Sequence, residues 1–303
     1  LISDFFKEYF PKKSIEAISI LEKTNPYFFD KDEKCHIDFF RVLPDNKSTS
    51  SVGHHGNDDF LTFTAYLHGT LSDMRIITHE ITHGISSHHK KMIDLIDLGN
   101  QKAVRDYQRT MSSFKHDCVG EIESHITERL FNYFLYKKKL LSKDDLINYD
   151  NLQRSSLAYE INTIKEECEV LKNLDCPVTF ESLKKFVSNM EEQENFRLVD
   201  RTKKMMDKNQ NASYMFRYVV GRIVAYEWFK EFKSTTTNDE RCEMLAKFEN
   251  FLDNTDSLTL DDACKFLLGK SFEKVANDFT HDIKRQKSIN EIEENRQEGN
   301  YGF

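Results

Sequence analysis

The sequence has few of the residues that interrupt regular structure, with 4 Pro and 10 Gly among 303 residues. A turn-rich β fold needs more of both, so this composition favours long helices. An excess of positive charge is also missing, because 43 Lys and Arg face 51 Asp and Glu and the formal net charge is -8. Surfaces that bind nucleic acid are basic, so this balance argues against a nucleic-acid partner.

Two further absences bear on location. No apolar run approaches the ~18 residues that cross a bilayer, and the start of the chain does not resemble a signal peptide. The six cysteines form no CxxC pair, which favours reduced thiols over a disulfide framework. We therefore expect a protein without a membrane span, located in the cytoplasm or delivered into a host cytosol.

Apolar spacing predicts a mainly α chain with a small β-sheet ahead of one key helix. The β-favouring runs His36–Val42 and Phe60–Tyr66 predict strands. Ser72 with Asp73 is expected to cap the helix that follows. Further helices are predicted over about residues 1–24, 113–139, 143–172, 179–206, 210–233, 238–252, 259–266 and 270–286.

The most specific motif is His79-Glu80-Ile81-Thr82-His83, an HExxH sequence on a predicted helix. A spacing of four residues places both imidazoles on one helix face, where they can bind one ion. Zn²⁺ suits two imidazoles, one carboxylate and one water. The glutamate beside the first histidine can take a proton from zinc-bound water, so we predict that His79 and His83 are ligands and Glu80 is the general base.

A catalytic zinc site needs a third protein ligand, and residues 118–128 offer several carboxylates. We favour Glu121, because Gly120 beside it would allow close packing against the HExxH helix. Glu123 lies about 200° around the helix from Glu121, towards the apolar side. The residues that could orient the ligands are Asp117, Ser124, His125 and Glu128.

Tyr214, Tyr218 and Gly221 share one face of a predicted helix. A phenol aimed at the reacting carbonyl would stabilise the oxyanion that develops there, so Tyr214 and Tyr218 are candidate catalytic residues. An aromatic stripe at this spacing is also typical of core packing. Arg217 and Arg222 could instead bind a substrate carboxylate.

Three blocks resemble the thimet oligopeptidase and oligoendopeptidase F family of zinc peptidases, of which this chain looks like a divergent member. Residues 60–84 are similar to that family's strand, Gly-Thr-Leu-x-Asp turn and HExxH helix. Residues 120–124 resemble its Glu-x-x-Ser motif, which implies that Glu121 is the third zinc ligand. Residues 214–221 resemble the Tyr-rich helix of oligoendopeptidase F. The resemblance implies a gluzincin-type, zincin-like catalytic domain, which we place at residues 1–290, with a polar tail at residues 291–303.

The chain departs from the family pattern at three positions. Thr82 replaces the usual Gly, Ser86 stands where a further His is usual, and Phe216 replaces the middle Tyr. These departures leave the predicted zinc site complete and affect the expected substrate range.

We therefore expect a zinc metalloprotease with one Zn²⁺ ion and a peptide or protein substrate. The short N-terminal portion and the divergent motifs favour a specific protease of the bacterial effector type over a general cytosolic oligopeptidase. An inactive pseudopeptidase that serves as a binding scaffold is the third possibility. An extended substrate is expected to pair with the strand Leu61–Tyr66. The sequence does not indicate an oligomeric state.

Overall fold

The computed structural model describes residues 1–22, 35–41, 51–54, 61–67, 70–87, 118–174, 178–206 and 212–299, with short pieces between 91 and 107. Its helices are α1 (Ile2–Tyr9), α2 (Ser14–Glu22), α3 (Leu71–Ile85), α4 (Gly120–Lys137), α5 (Lys143–Lys172), α6 (Phe180–Glu192), α7 (Phe196–Met206), α8 (Ala212–Ser234), α9 (Asn238–Leu252), α10 (Leu260–Leu268) and α11 (Phe272–Gly299).

The two predicted β-favouring runs form strands, and a third strand lies between them in the sequence. The strands are β1 (Cys35–Arg41), β2 (Ser51–His54) and β3 (Leu61–Leu67). The order in the sheet is β1-β3-β2, with β1 parallel and β2 antiparallel to β3. The backbones of β2 and β3 lie beside α3.

The predicted fold class, mainly α with a small β-sheet before the HExxH helix in a zincin-like domain, is wrong about the part that a sheet plays in the architecture. Wherever the structure describes side chains, every residue in regular secondary structure is helical. The apolar residues of the described core lie on the helices and on the loops that connect them. The architecture is therefore a helical one, because the long apolar stripes that can build a core lie on the helices.

The predicted pairing of a substrate with Leu61–Tyr66 is wrong for most of that strand. Leu61 pairs with Cys35 on one side and with His54 on the other, and both sides stay occupied as far as Thr64. A strand whose two edges are already paired has no backbone groups left for a substrate. Within the described sheet, the edge strands are β1 and β2.

The main core lies where α1, α4, α8 and α9 meet. The ring centroid of Phe5 lies 5.1 Å from that of Phe131 and 5.7 Å from that of Phe134. The ring of Trp228 lies 5.4 Å from that of Phe248. α4 therefore has its apolar face fixed in the core, which leaves its first turns to be positioned against α3.

Several helix boundaries agree with those predicted from the sequence, and one does not. The prediction of a helix over 143–172 is confirmed by α5. The helix predicted over 179–206 is instead divided into α6 and α7, because Glu194 adopts a positive φ of 56°. α7 folds back on α6 and α5 around a small apolar cluster that includes Val170 and Phe186. The backbone of α11 continues to Gly299 and so takes up most of the predicted polar tail.

The start of α3 differs slightly from the prediction. The N-cap is Thr70 rather than Ser72 or Asp73, and the backbone N–H of Thr70 donates to the Asp73 carboxylate at 2.8 Å. A carboxylate in the first turn also interacts favourably with the helix dipole. Among the helices that the structure describes, none combines the length and apolar character that a membrane crossing needs.

Candidate metal centre

Two histidines on α3 meet at one point. Because His79 and His83 are one turn apart, their rings share a face, and their Nε2 atoms lie 3.2 Å from each other. Both side chains are largely buried, with 13% and 12% of their surface exposed. The predicted pairing of the two imidazoles is therefore present in the structure.

α4 crosses α3 at this point and brings Glu121 to the histidines. Its Oε2 lies 3.5 Å from Nε2 of His79 and 3.8 Å from Nε2 of His83. Donor atoms bound at about 2.0–2.1 Å around one tetrahedral ion are about 3.3 Å apart. The three donor atoms therefore have a spacing and a chemistry that fit a zinc ion, and His79, His83 and Glu121 could hold one.

Each imidazole meets a second carboxylate of α4 through its other nitrogen. Nδ1 of His79 lies 2.7 Å from Oε1 of Glu128, and Nδ1 of His83 lies 3.2 Å from Oε1 of Glu123. A carboxylate at Nδ1 keeps the proton there and leaves the lone pair of Nε2 available. Two lone pairs and a carboxylate oxygen then converge, which is an arrangement that requires a cation or a proton between them.

The pKa values show how the protein without metal resolves this arrangement. Burial alone would lower the pKa of His79, but Glu128, Glu80 and Glu121 outweigh it and raise that pKa to about 9. Burial lowers the pKa of His83 to about 3. A protonated His79 beside a neutral His83 gives the two Nε2 atoms, 3.2 Å apart, a donor and an acceptor when no metal is bound.

Glu121 is held as a carboxylate. Although burial opposes its ionisation, His83, His79 and Arg217 lower its pKa to about 2. Nε of Arg217 lies 3.5 Å from Oε1 of Glu121, and the Ser124 hydroxyl donates to Oε2 at 3.1 Å. Ser124 therefore contacts the candidate ligand itself, as a residue that orients it.

Glu80 lies beside the histidines and is 7% exposed. Burial raises its pKa to about 7, with Glu121 and Glu128 adding to the effect and His79 opposing it. A cation bound nearby would lower this pKa again and keep Glu80 ionised. A carboxylate whose pKa is close to neutrality suits a general base.

Gly221 of α8 determines how closely that helix approaches the site. A Cβ at position 221 would lie 2.6 Å from the carbonyl oxygen of Glu121 and 2.7 Å from Cδ2 of His125. A Cβ at Gly120 would have no atom within 4 Å. The prediction that Gly120 permits close helix packing is therefore wrong, and the glycine that does so is Gly221, which lets α8 approach α4.

The structure describes one of the two candidate tyrosines. The backbone of Tyr214 belongs to α8, but its side chain lies outside the described residues. The Tyr218 ring lies 6.1 Å from the His125 ring, and the Arg217 guanidinium lies 5.2 Å from the centre of the Tyr218 ring. Arg222 is paired with a carboxylate of α5, because its Nε donates to Glu160 at 3.2 Å.

Sequence reasoning missed two residues behind His79. The Tyr149 hydroxyl donates to Oε2 of Glu128 at 2.8 Å, and Nε of Arg75 lies 4.0 Å from the same oxygen. The guanidinium of Arg75 also lies 4.7 Å from the centre of the Tyr149 ring. Arg75 is four residues before His79 on α3, and this spacing could have predicted that the two side chains share a helix face. Tyr149 lies on α5, where no sequence motif marks it.

The remaining candidates for orienting the ligands have different outcomes. Asp117 lies outside the described residues. Nδ1 of His125 lies 3.5 Å from Oε1 of Glu128, so His125 forms a second cluster with His79 and Glu128. Because Nδ1 of His79 already contacts Glu128, this cluster supports the first site rather than competing with it. Glu123, which helix geometry puts nearer the apolar side or its margin, is buried and contacts His83.

Comparison with solved structures finds the same fold in the crystal structure of a protein provisionally designated oligoendopeptidase F from Bacillus anthracis str. Ames. The TM-score is 0.54 and the sequence identity is 14%, with 94% of this chain and 45% of that chain covered. The chain thus spans less than half the length of this structural relative. No protein-family model and no curated protein matches the sequence. At this identity the likeness establishes the fold.

Proposed function

We propose that the protein is a zinc-dependent peptidase. The observation that carries the proposal is the convergence of His79, His83 and Glu121 on one point, with Glu80 buried beside them. The fold that the chain shares with a protein designated oligoendopeptidase F supports a peptide substrate over other hydrolysable bonds. Zinc held by the three residues would act as a Lewis acid that polarises a carbonyl group and makes water more acidic.

The residues of the chain would divide the remaining work. Glu80 accepts the proton of the attacking water and passes it to the leaving amine. Glu128 and Glu123 hold the imidazoles in the tautomer that presents Nε2 to the ion. Tyr218, whose ring lies 5.2 Å from the Arg217 guanidinium, would donate to the oxyanion that forms on the substrate.

The sequence leaves two substrate classes open, a specific host protein and short peptides. One assay separates these possibilities. Purified protein is incubated with a quenched peptide library and, in parallel, with a whole-cell lysate. Cleavage of one lysate protein with the peptides left intact indicates a specific protease of the effector type. Cleavage of many peptides indicates an oligopeptidase.

The same assay tests the chemistry. Glu80→Gln preserves the size of the side chain and removes its basicity, so we expect zinc to be retained and hydrolysis to be lost. A chelator should abolish hydrolysis by the wild-type protein, and added zinc should restore it. Zinc-free protein that cleaves peptides at the wild-type rate would contradict the proposal. A zinc-loaded protein without hydrolysis in either arm would favour the scaffold alternative.

A further inference from the structure

A cavity lies further along α4, away from the metal centre. It has a volume of about 260 Å³ and is enclosed by α4, the first two turns of α5 and the last turns of α8. Arg129, one of its lining residues on α4, is eight residues after Glu121, which corresponds to about 12 Å along a helix axis. We call this cavity the α4–α5–α8 pocket.

The walls of this pocket are mainly apolar and aromatic. The residues that form them include Tyr133, Leu146, Ile147, Tyr149 and Phe229. Ile147 is 48% exposed at the rim, whereas Phe229 and Tyr149 are buried deeper. Small-molecule sites are typically concave and apolar with a few well-placed polar groups, and the size of this pocket suits a small organic molecule.

One polar group in the wall is unsatisfied. Asn132 is 5% exposed, and its side-chain amide nitrogen has no hydrogen-bond partner among the described residues. A buried donor without a partner costs free energy, so such groups are rare in folded proteins. A ligand carbonyl or carboxylate in the pocket would supply the missing acceptor once the Asn132 side chain turns its amide nitrogen towards the cavity.

The charges around the pocket are unbalanced. Lys143 and Lys233 line it, and neither has a carboxylate partner among the described residues, although Nζ of Lys233 lies 5.0 Å from the centre of the Phe229 ring. Arg129 also lines it but is paired with Asp150, whose Oδ1 lies 2.8 Å from the guanidinium. The pocket therefore has two cations available and no unpaired anion in its described lining, which favours an anionic ligand.

We propose that the α4–α5–α8 pocket is an accessory binding site for a small carboxylic acid with an apolar body. The apolar body would occupy the space between Tyr133, Leu146 and Phe229. A carbonyl oxygen of the ligand would accept from Asn132, and its carboxylate would lie between Lys143 and Lys233. An N-acylated amino acid with a large apolar side chain combines these three features.

This site is distinct from the metal centre but shares one residue with it. The Tyr149 ring lines the pocket, while its hydroxyl donates to Glu128, which contacts His79. A variant at His83, which contacts Glu123 rather than Glu128, should therefore disable the metal centre and still bind the ligand. This makes binding here distinguishable from binding of the same compound as a product at the metal centre.

The test is isothermal titration of the full chain with N-acetyl-L-phenylalanine. We expect saturable binding at one site and at least roughly fivefold weaker binding of the uncharged amide of the same compound. His83→Ala, which leaves the contacts of Tyr149, Glu128 and His79 in place, should bind the acid as the wild type does. No saturable binding to the wild type, or binding that is lost in His83→Ala, would overturn the proposal.

Two variants locate the site. Asn132→Leu removes the amide at nearly constant volume and should weaken binding roughly fivefold or more. The double variant Lys143→Glu with Lys233→Glu changes exposed side chains, so it tests the charge without endangering the fold. Its matched control is Lys165→Glu with Lys172→Glu, which makes the same charge change on exposed positions of α5 outside the pocket. Equal affinity in the two double variants would contradict the site.

Discussion

Gly221 of α8 lies so close to Glu121 of α4 that a Cβ at position 221 would be 2.6 Å from the Glu121 carbonyl oxygen. This contact joins the helix of Tyr218 to the helix that supplies a candidate metal ligand. α4 is in turn fixed to α3 through Glu128 and His79. The position of Glu121 therefore depends on residue 221 of the neighbouring helix being a glycine, which has no side chain.

We expect Gly221→Ala to move α8 away from α4. Real Cβ atoms do not approach a backbone oxygen this closely, so the free energy of unfolding should fall by about 1–3 kcal/mol. Zinc affinity should fall with it, because Glu121 shifts. Chemical denaturation and a zinc competition assay measure both effects.

The matched control is Gly120→Ala, the same change at a helix position with no neighbouring atom within 4 Å. It should be neutral, or stabilise the fold by up to about 1 kcal/mol. If both variants have the same stability and zinc affinity, the close approach at Gly221 has no role.

Glu128→Gln should weaken zinc binding while leaving the three proposed ligands in place. The carboxylate contacts Nδ1 of His79 at 2.7 Å, and loss of such a partner typically costs 10–100-fold in metal affinity. Tyr149→Phe, which removes only the hydroxyl bonded to Glu128, should have a smaller effect in the same direction. Competition with a chromophoric chelator gives the affinities. Glu160→Gln, at a carboxylate bound to Arg222 instead, is the control and should bind zinc normally.

Zinc binding at pH 8 should release close to one proton per ion. Without metal the pKa of His79 is raised to about 9, so this imidazole is protonated at pH 8 and must lose its proton to bind zinc. The pKa of His83 is lowered to about 3 and that of Glu121 to about 2, so neither residue contributes a proton. Affinity should consequently fall as the pH decreases below 9. Calorimetry in buffers with different ionisation enthalpies counts the protons, and a count of zero would contradict this assignment.

Tyr218→Phe should lower kcat by about tenfold or more without changing zinc content, since one donor to an oxyanion is typically worth a factor of 100 or more. KM should change little if the hydroxyl acts mainly in the transition state. Tyr226→Phe is the control on the same helix, where the ring packs on Phe279 at 5.2 Å. Wild-type kcat in Tyr218→Phe would assign that side chain to packing.

The parts of the site that the sequence revealed are those fixed by local geometry. A spacing of four on one helix necessarily pairs His79 with His83, whatever surrounds them. The contacts of Glu123 and Gly221 depend on how α3, α4 and α8 cross, which periodicity within one helix does not specify. The contact of Tyr149 with Glu128 could not be predicted for the same reason. The strands were recognisable by composition, but the position of β3 between two partners depends on pairings distant in sequence.

The most direct test of the central claim is the zinc content of the purified chain after zinc loading and dialysis, measured by mass spectrometry of the metal. The account predicts one ion per chain for the wild type and for Glu80→Gln, because Glu80 is not a proposed ligand. It predicts essentially none for His79→Ala and a large loss for Glu121→Gln. A wild-type protein that retains no zinc, or a His79→Ala variant that retains as much as the wild type, would contradict it.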